Sequence, residues 1–187
     1  MALALSGTSN GSLNNLSLSS NTGTVLDSAN TTFFGADQWR LTTTITASGG
    51  TLNYDITSNL ERTGFTGAGY LGTGMTESSG IFTFPATGMW LVQFFCTCAV
   101  PANDNVGCHI QITTDNSSYD TASFSDCCGD DNGLAQSSAV TFFIFDVTDV
   151  STHKVKFRVE SLADTGQISG HSAESRTSML FQRLGDT

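Results

Sequence analysis

Charge is what this sequence has least of. Only 13% of its 187 residues are charged and seven are Lys or Arg, which leaves a formal net charge of −10. Nucleic acid and anionic membranes are gripped by basic surfaces, so neither is expected as a partner. The acidity reads as a solubility feature. No run approaches the ~20 apolar residues of a membrane-spanning helix, so no membrane insertion is expected. The start, Met1-Ala2-Leu3-Ala4-Leu5-Ser6-Gly7, lacks the basic residues and apolar length of a secretory signal. Synthesis in a cytoplasm is therefore expected, and the Asn-x-Ser/Thr matches at Asn10, Asn15, Asn30 and Asn116 follow from an Asn/Ser/Thr-rich composition.

Catalytic motifs are equally scarce. Gly7-Thr8-Ser9-Asn10-Gly11 spells a nucleophile elbow, but without the strand before and the helix after that the elbow needs. Gly67-Ala68-Gly69-Tyr70-Leu71-Gly72 spells a dinucleotide loop without the βαβ unit that places a pyrophosphate on a helix N-terminus. His109, His153 and His171 stand far apart, with no Ser or Cys nucleophile beside them, and read as surface histidines. No catalytic residue and no cofactor follow, and the chain reads as a non-enzyme.

What the sequence does contain is strands. Two-residue periodicity predicts them over Gln38–Thr46, Thr51–Ser58, Gly80–Phe84, Met89–Cys98, Cys108–Thr114, Ser138–Asp146, Lys154–Ser161 and Thr177–Leu184. Turn clusters such as Ser48-Gly49-Gly50 and Asp115-Asn116-Ser117-Ser118 separate them, and no window carries a helical stripe. Short strands at this spacing indicate an all-β sandwich or barrel. In Lys154–Ser161, Val155, Phe157 and Val159 share the inner face; in Cys108–Thr114, Cys108, Ile110 and Ile112 do, with His109, Gln111 and Thr113 outside. Phe142-Phe143-Ile144-Phe145 is apolar on both faces and must be covered on both.

The most specific stretch is Ser79 to Phe94. Phe82 and Phe84 alternate with smaller neighbours, Pro85 has no N–H to give a ladder, Gly88 suits a tight turn, and Trp90, Val92 and Phe94 resume the alternation. The run Gly80-Ile81-Phe82-Thr83-Phe84-Pro85-Ala86-Thr87-Gly88-Met89-Trp90 resembles the Gly-x-Phe-x-x-Pro-x-x-Gly-x-aromatic hairpin of the tumour necrosis factor and complement-head jelly rolls. Phe84 stands where many members carry cysteine. The resemblance spans residues 37–187 and implies a jelly-roll sandwich that forms homotrimers and binds other molecules. It also implies trimer contacts along the doubly apolar run, at Phe143 and Phe145.

Residues 1–36 differ. Leu13 to Gly23 is low in charge and free of aromatics, and Leu13, Leu16, Leu18, Val25 and Leu26 are spaced apolar groups too few to build a core, which reads as an N-terminal docking arm. A second resemblance is diffuse. Val147-Thr148-Asp149-Val150, Val155-Lys156-Phe157, Arg176 to Thr187, Gly72 to Gly80 and Ile112 to Ser117, with the polar start Ser6–Ser20, look like small virion proteins of marine bacteriophages. It implies a capsid decoration or cement protein on the virion surface, with the major capsid protein among its partners. The alternative it leaves open is a tail-fibre or head-fibre module recognising a host surface receptor.

The cysteines leave several readings. Cys96 and Cys98 share a strand face, Cys108 opens the next strand, and Cys127-Cys128 lie in an acidic loop. A hairpin of the two strands would set Cys98 opposite Cys108 at disulfide spacing. Cys96, Cys98, Cys108, His109, Cys127 and Cys128 fit no common zinc spacing, so no metal is expected, and free thiols or a disulfide remain. Asp126, Asp130, Asp131 and Asn132 make an oxygen-rich loop that matches no calcium pattern and reads as solvated.

Overall fold

The computed structural model describes residues 35–187. These contain thirteen strands and no helix: β1 (Gly35–Leu41), β2 (Ile45–Thr46), β3 (Leu52–Asp55), β4 (Leu60–Arg62), β5 (Thr76–Ser78), β6 (Ile81–Thr83), β7 (Gly88–Val100), β8 (Asn105–Thr113), β9 (Asp120–Cys128), β10 (Ala135–Val147), β11 (Lys154–Leu162), β12 (Gln167–Ile168) and β13 (Ser178–Gly185). β1 begins just ahead of the domain start expected at residue 37.

The strands form two antiparallel sheets. In the first, β10 pairs one edge of β7 along its whole length; β13 and β12 share the other edge, and β1 and β4 continue beyond β13. In the second, β8 pairs one edge of β11, with β9 outside it; β3 and β6 share the other edge, with β5 beyond β6. The connections β7–β8, β9–β10, β10–β11 and β11–β12 each pass from one sheet to the other.

That crossing corrects one expectation. β7 and β8 are not a hairpin. Pro101 has no N–H to extend a ladder, and both strands carry a continuous apolar inner face: Cys96, Cys98 and Val100 on β7, Val106, Cys108 and Ile110 on β8, all buried. Facing each other across the sandwich buries both sets, whereas edge pairing would leave them side by side. β9 is a second correction, since Cys127 and Cys128 lie on a strand and not in a loop. The expected strand Gln38–Thr46 is split into β1 and β2. Thr113, expected outside, is buried and its hydroxyl donates to Asp115 at 2.8 Å.

The core is aromatic. Phe82 contacts Trp39 edge-on at 5.4 Å between ring centroids, Phe157 at 5.6 Å and Phe181 at 4.9 Å. Phe84 contacts Trp90 at 5.3 Å and Phe145 at 5.7 Å. The expected Gly80–Trp90 hairpin is also corrected: β6 pairs with β5 and β11 in one sheet and β7 with β10, β12 and β13 in the other, so the turn at Pro85 carries the chain across the sandwich. The expected inward residues hold, since Phe82, Phe84, Trp90, Val92 and Phe94 are all buried, and the Trp90 indole N–H donates to the Ala86 carbonyl at 3.1 Å. Gly88 sits at φ +131°, where a Cβ would lie 2.4 Å from the Gly185 carbonyl oxygen, so only glycine closes this turn.

Asp37, buried in the middle of β1, pins the long segment between β4 and β5. Its carboxylate accepts from the Trp39 indole at 2.9 Å, the Arg62 guanidinium at 3.0 Å and the Met75 backbone N–H at 2.7 Å. A buried charge is tolerated only when paired in this way. Arg62 in turn lies 4.7 Å from the ring centroids of both Trp39 and Tyr70. Gly74 leaves room for the carboxylate and the guanidinium, each 2.7 Å from where its Cβ would stand.

Trp90→Ala is expected to cost about 3–5 kcal/mol, measured by denaturant unfolding, because a large side chain leaves a cavity between the sheets. An unchanged midpoint would mean that the sandwich is not closed around Trp90. Asp37→Ala strands three donors, the Arg62 guanidinium among them, and should cost about 3–5 kcal/mol. It should also expose residues 63–74 to limited proteolysis before the rest unfolds; uniform resistance would show that Asp37 does not hold this segment.

Candidate functional site

The sheet built on β7 has one face in the core and one outside. Alternation sends Trp90, Val92, Phe94, Cys96 and Cys98 inward, and leaves Leu91 and Phe95 outward. β10 alternates likewise. Phe145 is 4% exposed, while Phe142 is 62% exposed. The expected contact residues Phe143 and Phe145 therefore point the other way: Phe145 packs on Phe84 and stacks with His153 at 5.4 Å, and Phe143 is half-buried against the core. The outward members of the run are Phe142 and Ile144. Because all four residues are apolar, their sequence carries no parity; only the register with β7 sets it.

That register arranges the outward side chains in three cross-strand rows. Val140 stands beside Phe95 and Ser178, Phe142 beside Gln93 and Leu180, and Ile144 beside Leu91 and Gln182. Phe95, Val140, Phe142 and Ile144 are all exposed. On the outward positions of β7, β10 and β13 the charged residue is Asp146, at one end. A flat, uncharged patch of contiguous apolar side chains is the mark of an interaction surface. The doubly apolar run and the strands Met89–Cys98 and Thr177–Leu184 were each readable from the sequence; their pairing side by side into this face was not.

A second surface lies beside it in chain order. Phe65, Tyr70 and Leu71 are exposed in the segment between β4 and β5. A hollow of about 460 Å³ opens there, lined by Trp39, Arg62, Tyr70 and Gly72–Glu77. The string Gly67–Gly72 belongs to this segment, joined to β1 through Leu71 and Ala36.

The sandwich also gathers the cysteines. Cys96, Cys98, Cys108 and Cys127 are buried and Cys128 is exposed; no pair is bridged. Cys96 and Cys98 sulfurs lie 3.5 Å apart, those of Cys108 and Cys127 3.9 Å apart, and the Cys127 thiol donates to the Cys96 carbonyl at 3.6 Å. Hydrogen bonding to Cys108, then to Cys127 and Cys98, and burial after these, hold the Cys96 thiol well above the ordinary cysteine range. Hydrogen bonding to Cys127 raises Cys108 as well. His109 takes no part: it projects from the other face of β8 and stacks on Phe124 at 5.5 Å. Asp126 belongs to β9, with Asp130, Asp131 and Asn132 in the following turn, where Asp130 accepts from the Asn132 N–H at 2.8 Å. His153 is buried rather than superficial, its ring nitrogens within 3.2 Å of the Thr148 hydroxyl and 3.1 Å of the Thr152 hydroxyl. The arm residues Leu13, Leu16, Leu18, Val25 and Leu26 lie outside the described residues.

No known family model matches this sequence, and no curated protein matches it. Its fold does have counterparts among solved structures. Murine APRIL, in a crystal structure at pH 5.0, superposes with a TM-score of 0.59 at 10% identity, over 81% of this chain and 99% of that one. Murine APRIL at pH 8.0 gives 0.54 at 12% identity, over 81% and 99%. Eiger TNF from S. frugiperda gives 0.57 at 12% identity, over 82% and 94%. At such identities the likeness concerns the fold. With two antiparallel sheets and repeated crossings of the chain between them, residues 35–187 form a jelly-roll sandwich of the tumour necrosis factor type.

Proposed function

We propose that this chain is a non-enzymatic assembly and binding module: a homotrimeric jelly-roll head that decorates the surface of a bacteriophage virion. The observation that carries the trimer is the outward face of β7 and β10. Phe95, Val140, Phe142 and Ile144 are exposed together in an uncharged field, and a further copy of the chain is the occupant that suits them. The tumour necrosis factor resemblance implies the threefold arrangement. A heterologous contact repeated around a threefold axis closes on itself and leaves no sticky edge, whereas an open one would grow into filaments.

The virion reading rests on the bacteriophage-like segments, from Gly72 to Gly80 and through the C-terminal strand, and on the arm-like composition of residues 1–36. In this reading the chain is made in the host cytoplasm and docks on other virion proteins, such as the major capsid protein, through Leu13, Leu16, Leu18, Val25 and Leu26. One observation favours the alternative of a fibre head that binds a host receptor. Phe65, Tyr70 and Leu71 are exposed beside a hollow, an arrangement suited to stacking on a sugar or a protein loop.

Light scattering on the full-length protein should give about three times the chain mass of 19.7 kDa at micromolar concentration. Phe142→Asp should reduce it to the monomer mass without lowering monomer stability, since Phe142 is exposed in one subunit and a carboxylate buried unpaired between subunits costs several kcal/mol. A wild-type monomer, or a trimer indifferent to this substitution, would remove the proposed interface. Deleting residues 1–30 should leave a folded trimer that no longer attaches to particles. Full occupancy by the truncated head would move attachment to the jelly roll, and binding to host cells instead of capsids would favour the fibre head.

A further inference from the structure

We propose that Cys96, Cys98, Cys108 and Cys127 are the four ligands of a single thiophilic cation, of the zinc class, held inside the sandwich as a clamp between the two sheets. The thiols come from three strands and both sheets: Cys96 and Cys98 from β7, Cys108 from β8 and Cys127 from β9. The sulfurs of Cys96, Cys98 and Cys108 all lie within 4.8 Å of one another. Cys127 lies outside that mutually close set but next to it, its sulfur 3.9 Å from that of Cys108 and its thiol donating to the Cys96 carbonyl, so a small turn of its side chain brings in the fourth ligand.

The spacing suits a metal better than a bridge. Zinc binds thiolate at about 2.3 Å in a tetrahedron, which sets sulfurs about 3.8 Å apart. The separations of 3.5 and 3.9 Å lie either side of that edge. A disulfide needs sulfurs at about 2.05 Å and Cα atoms usually within about 6.8 Å. Cys108 is registered with Ser125 and Cys127 with Val106, so the two cysteines are diagonal neighbours. Such neighbours are about 7–8 Å apart at Cα. Cys96 and Cys98 are alternate residues of one extended strand, at about the same upper limit. Cys98 faces Cys108 across sheets that pack about 10 Å apart. The sulfurs of four cysteines thus converge from backbones that sit at or past the usual disulfide spacing in the two pairs on one sheet. Cys128, adjacent in sequence, points out and takes no part.

Free cysteine is commonly buried as a small apolar group, and that accounts for each of these residues taken singly. It does not account for the convergence of three sulfurs from two sheets with a fourth beside them. Coordination takes the four thiols to thiolates, and their four protons pass to solvent as the cation enters. Because all four side chains are closed off, the cation must be captured as the sheets come together. The spacing of these cysteines in sequence, 96-98, 108 and 127, escapes every linear zinc pattern since the ligands are assembled by sandwich topology instead of by two knuckles.

The test is elemental analysis and native mass spectrometry of the full-length protein, expressed with zinc in the medium and purified without chelator in the presence of a phosphine reductant. One zinc per chain is expected. It should survive Cys128→Ser and fall below about a tenth of that stoichiometry in Cys108→Ser and in Cys127→Ser. Since these two variants could lose metal by unfolding, the wild type supplies the independent measurement: unfolded, stripped, and refolded under reduction with cobalt(II) alone. Uptake of one cobalt per chain with the intense sulfur-to-cobalt charge transfer and visible bands of a tetrahedral tetrathiolate supports the site. So does protection of four of five thiols from alkylation until a chelator is added under denaturing conditions. Metal-free protein that also refolds without cobalt uptake overturns the proposal, as does a mass two or four units below the reduced value in protein isolated without reductant, which would assign the thiols to disulfides.

Discussion

The whole molecule depends on burying one face of β7. That strand is the widest paired element of its sheet, bonded along its full length to β10 and on its other edge to β13 and β12. Its inner side chains run from Trp90 through Val92, Phe94, Cys96 and Cys98 to Val100, every one of them buried. A strand of this kind cannot be covered by its own sheet. It needs the inner faces of β8 and β11, and the connections that carry the chain back and forth between sheets exist to bring them there. The tight crossing before β7 is a consequence: Phe82 and Phe84 must reach the core from the opposite sheet immediately ahead of Trp90, and Pro85 and Gly88 let the chain change sheets within a few residues.

Much of this was legible because alternation on a half-buried strand is unambiguous. Val155, Phe157 and Val159 point inward and Lys156 and Arg158 outward, where both meet Asp55 at 2.8 and 2.7 Å. Legibility failed where the alternation signal vanishes. Phe142 to Phe145 is apolar throughout, so the outward pair Phe142 and Ile144 could be chosen only once β10 was registered on β7. β9 fails for the opposite reason. It is an edge strand whose residues Asp120 to Asp126 are polar or small apart from Phe124, and only Cys127 is buried, so nothing in its composition separates it from a loop.

The thiol cluster was illegible for a third reason, which is topological. Strands adjacent in sequence are most simply read as a hairpin, and a hairpin sets Cys98 beside Cys108. Once β7 and β8 belong to different sheets, the same residues meet face to face, and Cys127 joins them through the β8–β9 hairpin. The local pattern assigned the inner faces correctly, with Cys108 and Ile110 inside. What it lacked was which inner faces oppose each other, a property of the fold and not of any one strand.

The two ends of the sandwich are then packed by different chemistry. At the Gly88 end, rings fill the space between sheets: Trp39, Phe82, Phe84, Trp90, Phe145 and Phe181 meet edge to face or tilted at 4.9–6.5 Å. Such pairs add about 0.5–1.5 kcal/mol each beyond the area they bury. Past Phe94, where its ring meets Phe157 at 5.0 Å, the core of β7 turns to Cys96, Cys98 and Val100, opposed by Cys108, Val106 and Cys127. Small side chains bury less area per residue and gain no ring contacts, so this end has less to hold its sheets together. A cation clamped by four sulfurs from both sheets would tie them at the place where packing is thinnest, while the ring-filled end holds the register that sets Phe142 and Ile144 outward.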